Sequence, residues 1–348
     1  MKKTTLNNLI TCGMVLVLFI VCGILSSAGI LGSKLSGLLI PIGIYIILSI
    51  SLNLTVGILG ELSLGHAGFM CVGAYVGGVF SILVQDVVTV SWLRITLAVI
   101  IGGIAAAIFG VLIGIPVLRL RGDYLAIVTL GFGEIIKSIS NNIYLVKDVN
   151  GLHFSFASPV SGTDAATAVD IFKGAQGIKA PQDTTLVIVV IVLMISLIVI
   201  MNLVDSKTGR ACMAIRDNYI AAQSVGINVT KYRLVAFVVS AAIAGVAGVL
   251  YAHNLSMLKV SGFDYNMSIL ILVYVVLGGI GNLRGSIIAT VILYALPELL
   301  RGFANYRMLI YAIVLIIMML FNWAPAARNW RAQVMEKIRG PKNKKEAA

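Results

Sequence analysis

The sequence predicts an all-α fold, that of a polytopic membrane protein with about ten transmembrane helices, some of them interrupted by glycine. Hydrophobic residues make up 59% of the 348 residues and charged residues only 11%, whereas a soluble domain carries about 25% charged residues. The mean hydropathy is +1.02. Long apolar runs recur along the whole chain, which is typical of a protein that lies in lipid for most of its length.

Each long apolar run is interpreted as one transmembrane helix, because a helix needs about 20 mostly apolar residues to cross a bilayer. The first run follows Met1-Lys2-Lys3 and is longer than the apolar region of a signal peptide, which favours an uncleaved helix. The predicted spans are 9–31, 35–59, 62–84, 93–118, 123–145, 184–204, 232–253, 267–281, 284–301 and 308–323.

The distribution of basic residues predicts the orientation of these helices. An even number of spans places both termini on one side, and most of the 26 Lys and Arg residues then fall on that side. Because cytoplasmic loops are enriched in Lys and Arg, both termini are expected in the cytoplasm. The loop 146–183 is then extracytoplasmic, and the polar segment 205–233 is cytoplasmic.

Two regions are expected from this topology. Residues 1–327 form a transmembrane domain, and residues 328–348 form a basic cytoplasmic tail whose Lys and Arg side chains favour contact with lipid headgroups. The net charge of +12 arises from residues that flank apolar segments. That distribution indicates membrane topology, and no nucleic-acid partner is expected.

The polar segment 205–233 is the most informative part of the chain. It is rich in Ala, carries several Arg and Lys residues, and contains Gly209 and Gly226. Small side chains on a surface helix let another backbone approach closely, so the segment is predicted to dock a cytoplasmic protein. Gly226 is expected to end its helix in the left-handed conformation.

Two glycine-rich segments interrupt the apolar runs. Residues 57–68 read GILGELSLGHAG and residues 277–285 read LGGIGNLRG. Glycine at this density permits broken helices or close backbone contact, and such segments often mark the path of a transporter. Tight cytoplasmic turns between helices are the alternative. The shared pattern G-x-x-G-x-L is too short to indicate a repeat.

Ionisable residues inside apolar runs need a partner or a cavity, because charge is costly in lipid. Glu134 and Lys137 stand three residues apart on one helix and could pair, with a proton relay as the alternative. Glu61 falls near a predicted span end, where lipid headgroups could solvate it. Asn53, Ser63 and His66 could line a polar path or fill a packing role; Glu134 is a further candidate for the path.

The motifs of common catalytic sites do not occur in this sequence. It contains no P-loop for ATP, no nucleophile elbow of the G-x-S-x-G type, and no His or Cys spacing suited to a metal. The chain is therefore not expected to be an enzyme, and no catalytic residue, metal or cofactor is predicted.

Four blocks of the sequence resemble a known family, the LivM-type permease subunits of ATP-binding-cassette importers for branched-chain amino acids. The resemblance covers about residues 35–325. Its blocks are LNLTVGILGELSLGHAGFMCVGAY at 52–75, GDYLAIVTLGFGEII at 122–136, TGRACMAIRDNYIAAQSVGINVTKYRLVAFVVSAAIAGVAG at 208–248, and VVLGGIGNLRGSIIATVILYALPELLR at 275–301.

The resemblance implies a set of partners. They are two cytoplasmic ATP-binding subunits, a second permease of the LivH type, and an extracytoplasmic substrate-binding protein. In such permeases an Ala-Ala-x-x-x-Gly signature forms a coupling helix seated on the ATPase, and Ala221, Ala222 and Gly226 match it. The residues expected at this interface are Arg210, Ala214, Arg216, Asp217, Ala221, Ala222 and Gly226.

The resemblance thus implies a multi-pass subunit of the bacterial cytoplasmic (inner) membrane that translocates leucine, isoleucine and valine. Two alternatives stay open. The chain could be an ion-coupled secondary transporter that works alone, or an importer permease for another small polar solute such as urea, an amide or a sugar.

Overall fold

The described part of the chain is mostly helical. The structure, a computed structural model, describes residues 3–29, 32–120, 122–148, 151–158, 169–300 and 306–323. Its helices are α1 (Lys3–Ser27), α2 (Ser33–Asn53), α3 (His66–Val84), α4 (Ser91–Val117), α5 (Asp123–Asn141), α6 (Leu186–Asp205), α7 (Lys207–Asp217), α8 (Tyr219–Ser224), α9 (Val229–Asn254), α10 (Tyr265–Gly278), α11 (Leu283–Leu299) and α12 (Arg307–Trp323).

Seven helices in the described residues are long and apolar enough to cross a membrane. Helices satisfy their own backbone hydrogen bonds, which is why apolar runs adopt this form in lipid. Helices α5, α11 and α12 do not meet the same criteria, so the predicted number of about ten is not confirmed. The seven segments are Asn8–Ser26, Leu35–Leu59, His66–Val84, Ser91–Val117, Leu186–Asp205, Val229–Asn254 and Val260–Gly278.

The chain divides into two units, residues 1–291 and 292–348. The first unit holds helices α1 to α10, and the second holds the end of α11 together with α12. The predicted boundary at residue 327 and the basic tail 328–348 lie outside the described residues.

Polar contacts define one end of the helices in the first unit, which we call the island end because it holds segment 205–233. The guanidinium of Arg233 donates a hydrogen bond to the Leu118 carbonyl at 2.7 Å. The side-chain amide of Asn8 donates to the Asp205 carboxylate at 2.7 Å. The start of α1, the end of α4, the end of α6 and the start of α9 therefore lie at the same end.

A second set of contacts defines the opposite end, which we call the sheet end. Arg94, in the first turn of α4, forms a buried ion pair of 2.6 Å with Asp183, just before α6. Lys147 pairs with Asp86, just after α3, at 3.0 Å. Helix α4 thus runs from the sheet end to the island end. Helix α5 begins next to the end of α4 and leads back to the sheet end.

The prediction of an all-α fold is wrong within the loop 146–183 and just before it. Helix α5 ends at Asn141, short of the predicted 145, and three strands follow: β1 (Ile143–Asp148), β2 (Gly151–Phe156) and β3 (Val169–Lys173). They form an antiparallel sheet in the order β2-β1-β3. Apolar and polar residues alternate along β2, a period of two that is typical of a strand with two unlike faces.

Helix α9 occupies the centre of the first unit and packs against α2, α3 and α4. Small residues make this packing close. Gly73 of α3 lies directly against the backbone of Gly245 on α9, so closely that a Cβ atom at Gly73 would overlap it. A Cβ atom at Gly248 of α9 would likewise overlap the Met70 carbonyl of α3. In lipid, helices associate mainly through such close van der Waals contact.

Replacing Gly73 by Ala should therefore destabilise the fold. The added methyl group would overlap backbone atoms of α9, which cannot rotate away as a flexible side chain could. Helices α3 and α9 must therefore separate, which should lower the free energy of unfolding by about 1–3 kcal/mol. The midpoint of thermal unfolding in detergent should fall. Gly13→Ala is the matched control, since a Cβ atom there meets nothing within 4 Å. Equal midpoints for the two variants would contradict the role of close α3–α9 contact.

Candidate functional site

The polar segment forms two short helices, α7 and α8, at the island end. The Ser206 hydroxyl caps α7 by accepting hydrogen bonds from the backbone N–H groups of Thr208 (3.1 Å) and Gly209 (3.3 Å). The side chain of Asn218 caps α8 by accepting from Ala221 at 3.0 Å. Because Asn218 is extended, at φ −156° and ψ 105°, it separates the two helices. Both caps satisfy donors that a helix start leaves free.

Gly226 ends α8 in the left-handed conformation, at φ 83°, which confirms the prediction for this residue. The N–H of Gly226 bonds to the Gln223 carbonyl at 3.1 Å, and the N–H of Ile227 bonds to the Ala222 carbonyl at 3.1 Å. This pair of bonds is a Schellman motif, which satisfies the last carbonyls of the helix. A residue with a side chain would be strained at this position.

The predicted interface residues do not all face the same way. Ala222 is buried, at 4% exposure, and packs in a cluster with Ile215 and Val229. Its side chain faces the interior of the protein, so a partner could not reach it. The other predicted residues are exposed and run along the outer side of α7 and α8: Arg210, Ala214, Arg216, Asp217, Ala221 and Gly226.

Two apolar side chains on this surface were missed from the sequence. Ile220 is 76% exposed and Val225 is 75% exposed, at a protein end that is otherwise polar. Large exposed apolar residues grouped with small ones indicate a contact surface. The sequence signal was available, because Ile220 and Val225 flank the Ala-Ala pair within a polar segment. We call Ala214, Asp217, Ile220, Ala221 and Val225 the platform.

Arg216 connects the platform to the helices of the bundle. Its guanidinium donates a hydrogen bond to the Gly57 carbonyl at 2.7 Å, and also reaches the carboxylate of Asp217 at 3.1 Å. Its aliphatic part covers Gly60, where a Cβ atom would overlap it. Gly281 lies close to the same guanidinium. Arg216 therefore binds the first glycine-rich segment and lies next to the second.

The first glycine-rich segment begins with an irregular end of α2, which we call the broken helix. A π-helix, Leu54–Leu59, continues α2, and Gly60 ends it at φ 79°. The next helix begins only at His66. A π-helix is rare and occurs mostly at functional positions. Residues 60–65 then connect α2 to α3, which are separate spans, so this segment combines an irregular helix end with a tight turn between two helices.

The second glycine-rich segment is a turn. It connects α10 to α11, with Gly279 and Gly281 at φ 98° and 80°. Asn53, at the end of α2, holds this turn: its side-chain oxygen accepts from the Gly281 N–H at 2.8 Å, and its amide donates to the Ser286 hydroxyl at 2.7 Å. The alternative of a tight turn therefore holds here. Asn53 joins the turn to the broken helix.

Glu61 and Arg233 form a buried ion pair beside the broken helix. The Arg233 guanidinium also donates to the carbonyls of Leu118 (2.7 Å) and Leu120 (3.4 Å). The side chains of Glu61 and Arg233 are 15% and 7% exposed, so solvation of Glu61 by headgroups was the wrong expectation. Burial raises the pKa of the Glu61 carboxyl, while the charge and hydrogen bond of Arg233 act in the opposite direction.

Cys212 of α7 lies next to this ion pair. Its thiol reaches the Tyr232 carbonyl at 3.6 Å. Burial, and secondarily the charge of Glu61, raises the pKa of the Cys212 thiol to about 11. The thiol is therefore protonated at neutral pH and fills space as a small apolar group.

The three polar residues predicted near the broken helix are all buried. Asn53, Ser63 and His66 are at most 2% exposed. The His66 ring nitrogen lies 2.6 Å from the Ser51 hydroxyl, and the Ser51 carbonyl accepts from Ser240 at 2.6 Å. The contacts of Asn53 and His66 favour the packing interpretation over a place on an open path.

Glu134 and Lys137 are paired on α5, one of the two interpretations left open by the sequence, with 3.3 Å between their charged atoms. Their side chains are 40% and 23% exposed, so this pair is more open than Arg94–Asp183 and Arg233–Glu61 and less open than Lys147–Asp86. Of the four residues predicted along a path, only Glu134 is substantially exposed.

Comparison with known proteins gives consistent matches. A family model described as the permease component of the branched-chain amino acid transport system matches residues 34–321. The chain is 38% identical over 292 residues to the high-affinity branched-chain amino acid transport system permease protein LivM of Salmonella typhimurium. The identity to LivM of Escherichia coli K12 is the same. Each match covers 81% of this chain and 67% of the relative. LivH of Salmonella typhimurium is 24% identical over 79% of this chain and 88% of its own length. No solved structure matches the chain.

Replacing Arg233 by Gln should destabilise the fold more than replacing Glu61 by Gln. Arg233→Gln leaves a buried carboxylate unpaired and removes the donors to Leu118 and Leu120, a loss of about 3–5 kcal/mol. Glu61→Gln keeps those donors in place. Thermal unfolding midpoints in detergent measure the difference.

The loss of folding stability in the Arg233→Gln variant should also depend on pH. Without Arg233, only burial acts on Glu61, so its folded-state pKa lies above the unfolded value. Such an acid contributes stability at low pH that is lost as the pH rises through the folded-state pKa. The variant should therefore recover stability as the buffer is made more acidic, and the double variant with Glu61→Gln should lack this recovery. A pH-independent deficit would contradict the ion pair.

Proposed function

Because this chain belongs to the family of permease components of branched-chain amino acid transport systems, we propose that it is the permease subunit of an ATP-driven importer for leucine, isoleucine and valine. It is a multi-pass transport protein of the cytoplasmic (inner) membrane. Two separate cytoplasmic ATP-binding subunits supply the energy, and the chain has no ATPase site of its own. A LivH-like second permease and an extracytoplasmic substrate-binding protein complete the importer.

The observation that carries this proposal is the platform together with Arg216. The platform is an exposed surface of mixed small and apolar residues on two capped helices, suited to contact with another protein. Next to the platform residue Asp217, Arg216 donates a hydrogen bond to the Gly57 carbonyl. A partner that moves α7 thereby moves the broken helix.

The broken helix and the turn are suited to transmit this motion. The π-helix departs from the i→i+4 bonding of α2, and it ends at a left-handed glycine. Asn53 couples it to the turn after α10. Displacement of Arg216 would move α2 and α10 relative to the closely packed α3 and α9. A relative movement of this kind would open the passage to one side of the membrane and close it to the other.

We extend the proposal to the topology. Helices α1 to α6, α9 and α10 pass alternately between the island end and the sheet end, and α11 and α12, of 17 residues each, add two further crossings. Both termini are then cytoplasmic, with the tail 328–348 at the lipid headgroups. The island end faces the ATP-binding subunits, and the sheet in the loop 146–183 faces the substrate-binding protein.

Replacing Ala221 by Arg should prevent the ATP-binding subunits from associating. Ala221 is exposed on the platform, so a long charged side chain blocks a close partner without disturbing the core. Ala222 is unsuitable for this test because it is buried. Co-purification of the ATP-binding subunits with this chain should fall at least about tenfold, which corresponds to 1.4 kcal/mol.

Gln85→Arg serves as the control, because Gln85 is equally exposed but follows α3 at the sheet end. It should leave co-purification intact. Normal association of the Ala221→Arg variant, with normal uptake, would show that the ATP-binding subunits sit elsewhere.

Replacing Arg216 by Gln should separate ATP hydrolysis from transport. The platform residues keep their places, so the ATP-binding subunits should still associate, while the bond to Gly57 is lost. Uptake of leucine per ATP hydrolysed in proteoliposomes should fall several-fold. Lys207→Gln, an exposed change at the start of α7, is the control that should keep wild-type coupling. Equal coupling in both variants would contradict transmission through Arg216.

A further measurement separates the importer from a secondary transporter. Proteoliposomes that contain the permease without ATP-binding subunits should not take up leucine under a proton or sodium gradient. Gradient-driven uptake by the chain alone would overturn the proposed function.

A further inference from the structure

The exposed face of α5 around Glu134 differs from a surface suited to lipid. It combines two charged side chains, an exposed Ser138, and a glycine with aliphatic neighbours. We call this surface the Glu134 face; it comprises Ile127, Leu130, Gly131, Glu134, Lys137 and Ser138. These residues lie within about 60° of Glu134 around the helix axis at 100° per residue. The rest of the described chain leaves them partly or fully exposed.

The ion pair on this face lies near the middle of the helix. Glu134 is eleven residues beyond Asp123, or about 16 Å along a helix of about 28 Å, at 1.5 Å per residue. Charge at that depth is unfavourable in lipid and occurs at bundle interiors or water-filled cavities. The Glu134 face is therefore poorly suited to lipid, and a water-filled passage is one of the surroundings that accommodates such a pair.

The openness of this pair distinguishes it from the two ion pairs that join separate helices within the bundle. Arg94 and Asp183 are 7% and 9% exposed, and Arg233 and Glu61 are 7% and 15% exposed. Those pairs hold the two ends of the bundle together and are shielded by it. Glu134 and Lys137 hold no second element together, since both belong to α5. Their charges remain available to a ligand.

The geometry of the pair matches a zwitterion. An amino acid carries its ammonium and carboxylate groups on one carbon atom, and the charged atoms of Glu134 and Lys137 are 3.3 Å apart. A zwitterion aligned in the opposite sense would place its ammonium at the Glu134 carboxylate and its carboxylate at the Lys137 ammonium. The two charges of the ligand and the two charges of the protein would then alternate in sign. Glu134 and Lys137 would each keep an oppositely charged neighbour.

The neighbouring residues offer space for an aliphatic side chain. A Cβ atom built at Gly131, one turn before Glu134, meets nothing within 4 Å. Ile127, 63% exposed, and Leu130 flank this space with apolar surface. A small branched side chain would contact them while its head group remains at the ion pair.

We propose that Glu134 and Lys137 bind the ammonium and carboxylate groups of an aliphatic amino acid during its passage, with the side chain in the space beside Gly131. This inference rests on the proposed importer function and adds to it the residues that recognise the substrate's head group. Because both contacts are exposed and local, binding is weak, as transport requires of a site that must release its ligand.

The test uses the complete importer in proteoliposomes, with leucine as the probe and with uptake, ATP hydrolysis and subunit association measured on the same preparations. Glu134→Gln and Lys137→Gln should each lower leucine uptake per ATP about tenfold, the loss expected from one charge-assisted hydrogen bond. Stimulation of ATP hydrolysis by the leucine-loaded binding protein should stay within about twofold, since α7 and α8 are untouched.

The double variant Glu134→Gln with Lys137→Gln excludes the effect of an unpaired charge on folding, and it should show the same uncoupling. Thr96→Val is the control, because it removes an exposed polar group from α4 and leaves α5, the sheet and the platform unchanged. It should keep wild-type uptake per ATP.

Two results would overturn the proposal. Unchanged uptake per ATP in the double variant would show that the pair does not contact the substrate. A parallel loss of subunit association, ATP hydrolysis and uptake would assign the pair to an interface with the second permease. Both are distinct from failure of the importer function, which would appear in the wild-type complex as uptake without ATP-binding subunits.

Discussion

The close contact of α9 with α3 and α4 is the constraint on which the rest of the structure depends. Lipid provides no hydrophobic driving force between apolar helices, so their association depends on how closely the backbones approach. Gly73 and Gly245 bring α3 and α9 together with no side chain between them, and Gly102 of α4 lies against Val249 of α9. In the proposed mechanism, this closely packed centre is the reference against which the other segments move.

The mobile part of the proposed mechanism lies where helical regularity fails. The π-helix after α2 and the turn after α10 meet at Asn53, and Arg216 of α7 binds the π-helix and lies next to the turn. A rigid centre beside two irregular segments explains how movement at the island end can reach the membrane-spanning helices without unfolding them. It also explains why the contact is a single long side chain, since Arg can reach from the platform to a backbone carbonyl that a short residue could not.

The charges of the chain divide according to their surroundings. At the ends of the bundle, Arg94 with Asp183 and Arg233 with Glu61 are shielded and connect different helices. Near the middle of α5, Glu134 and Lys137 are local to one helix and open. Shielded pairs hold the protein together, because removing one partner leaves a buried charge. The open pair can exchange partners, which suits a passage for a zwitterion.

Features that depend on neighbours along the chain could be predicted from the sequence. The apolar runs predicted the helices, Gly226 predicted the end of α8, and the spacing of Glu134 and Lys137 allowed their pair. The strands could not be predicted from the apolar runs, because the only local sign of β2 is its alternation of apolar and polar residues.

Only the tertiary structure decided which surfaces face inward and which distant residues meet. Arg233 pairs with Glu61, Arg216 binds Gly57, and Ala222 turns inward although it adjoins the exposed Ala221. Asn53 and Ser286 are 233 residues apart in the chain and yet 2.7 Å apart in space. Such contacts depend on where helices cross and how closely glycine lets them approach, and local spacing in a sequence contains neither quantity.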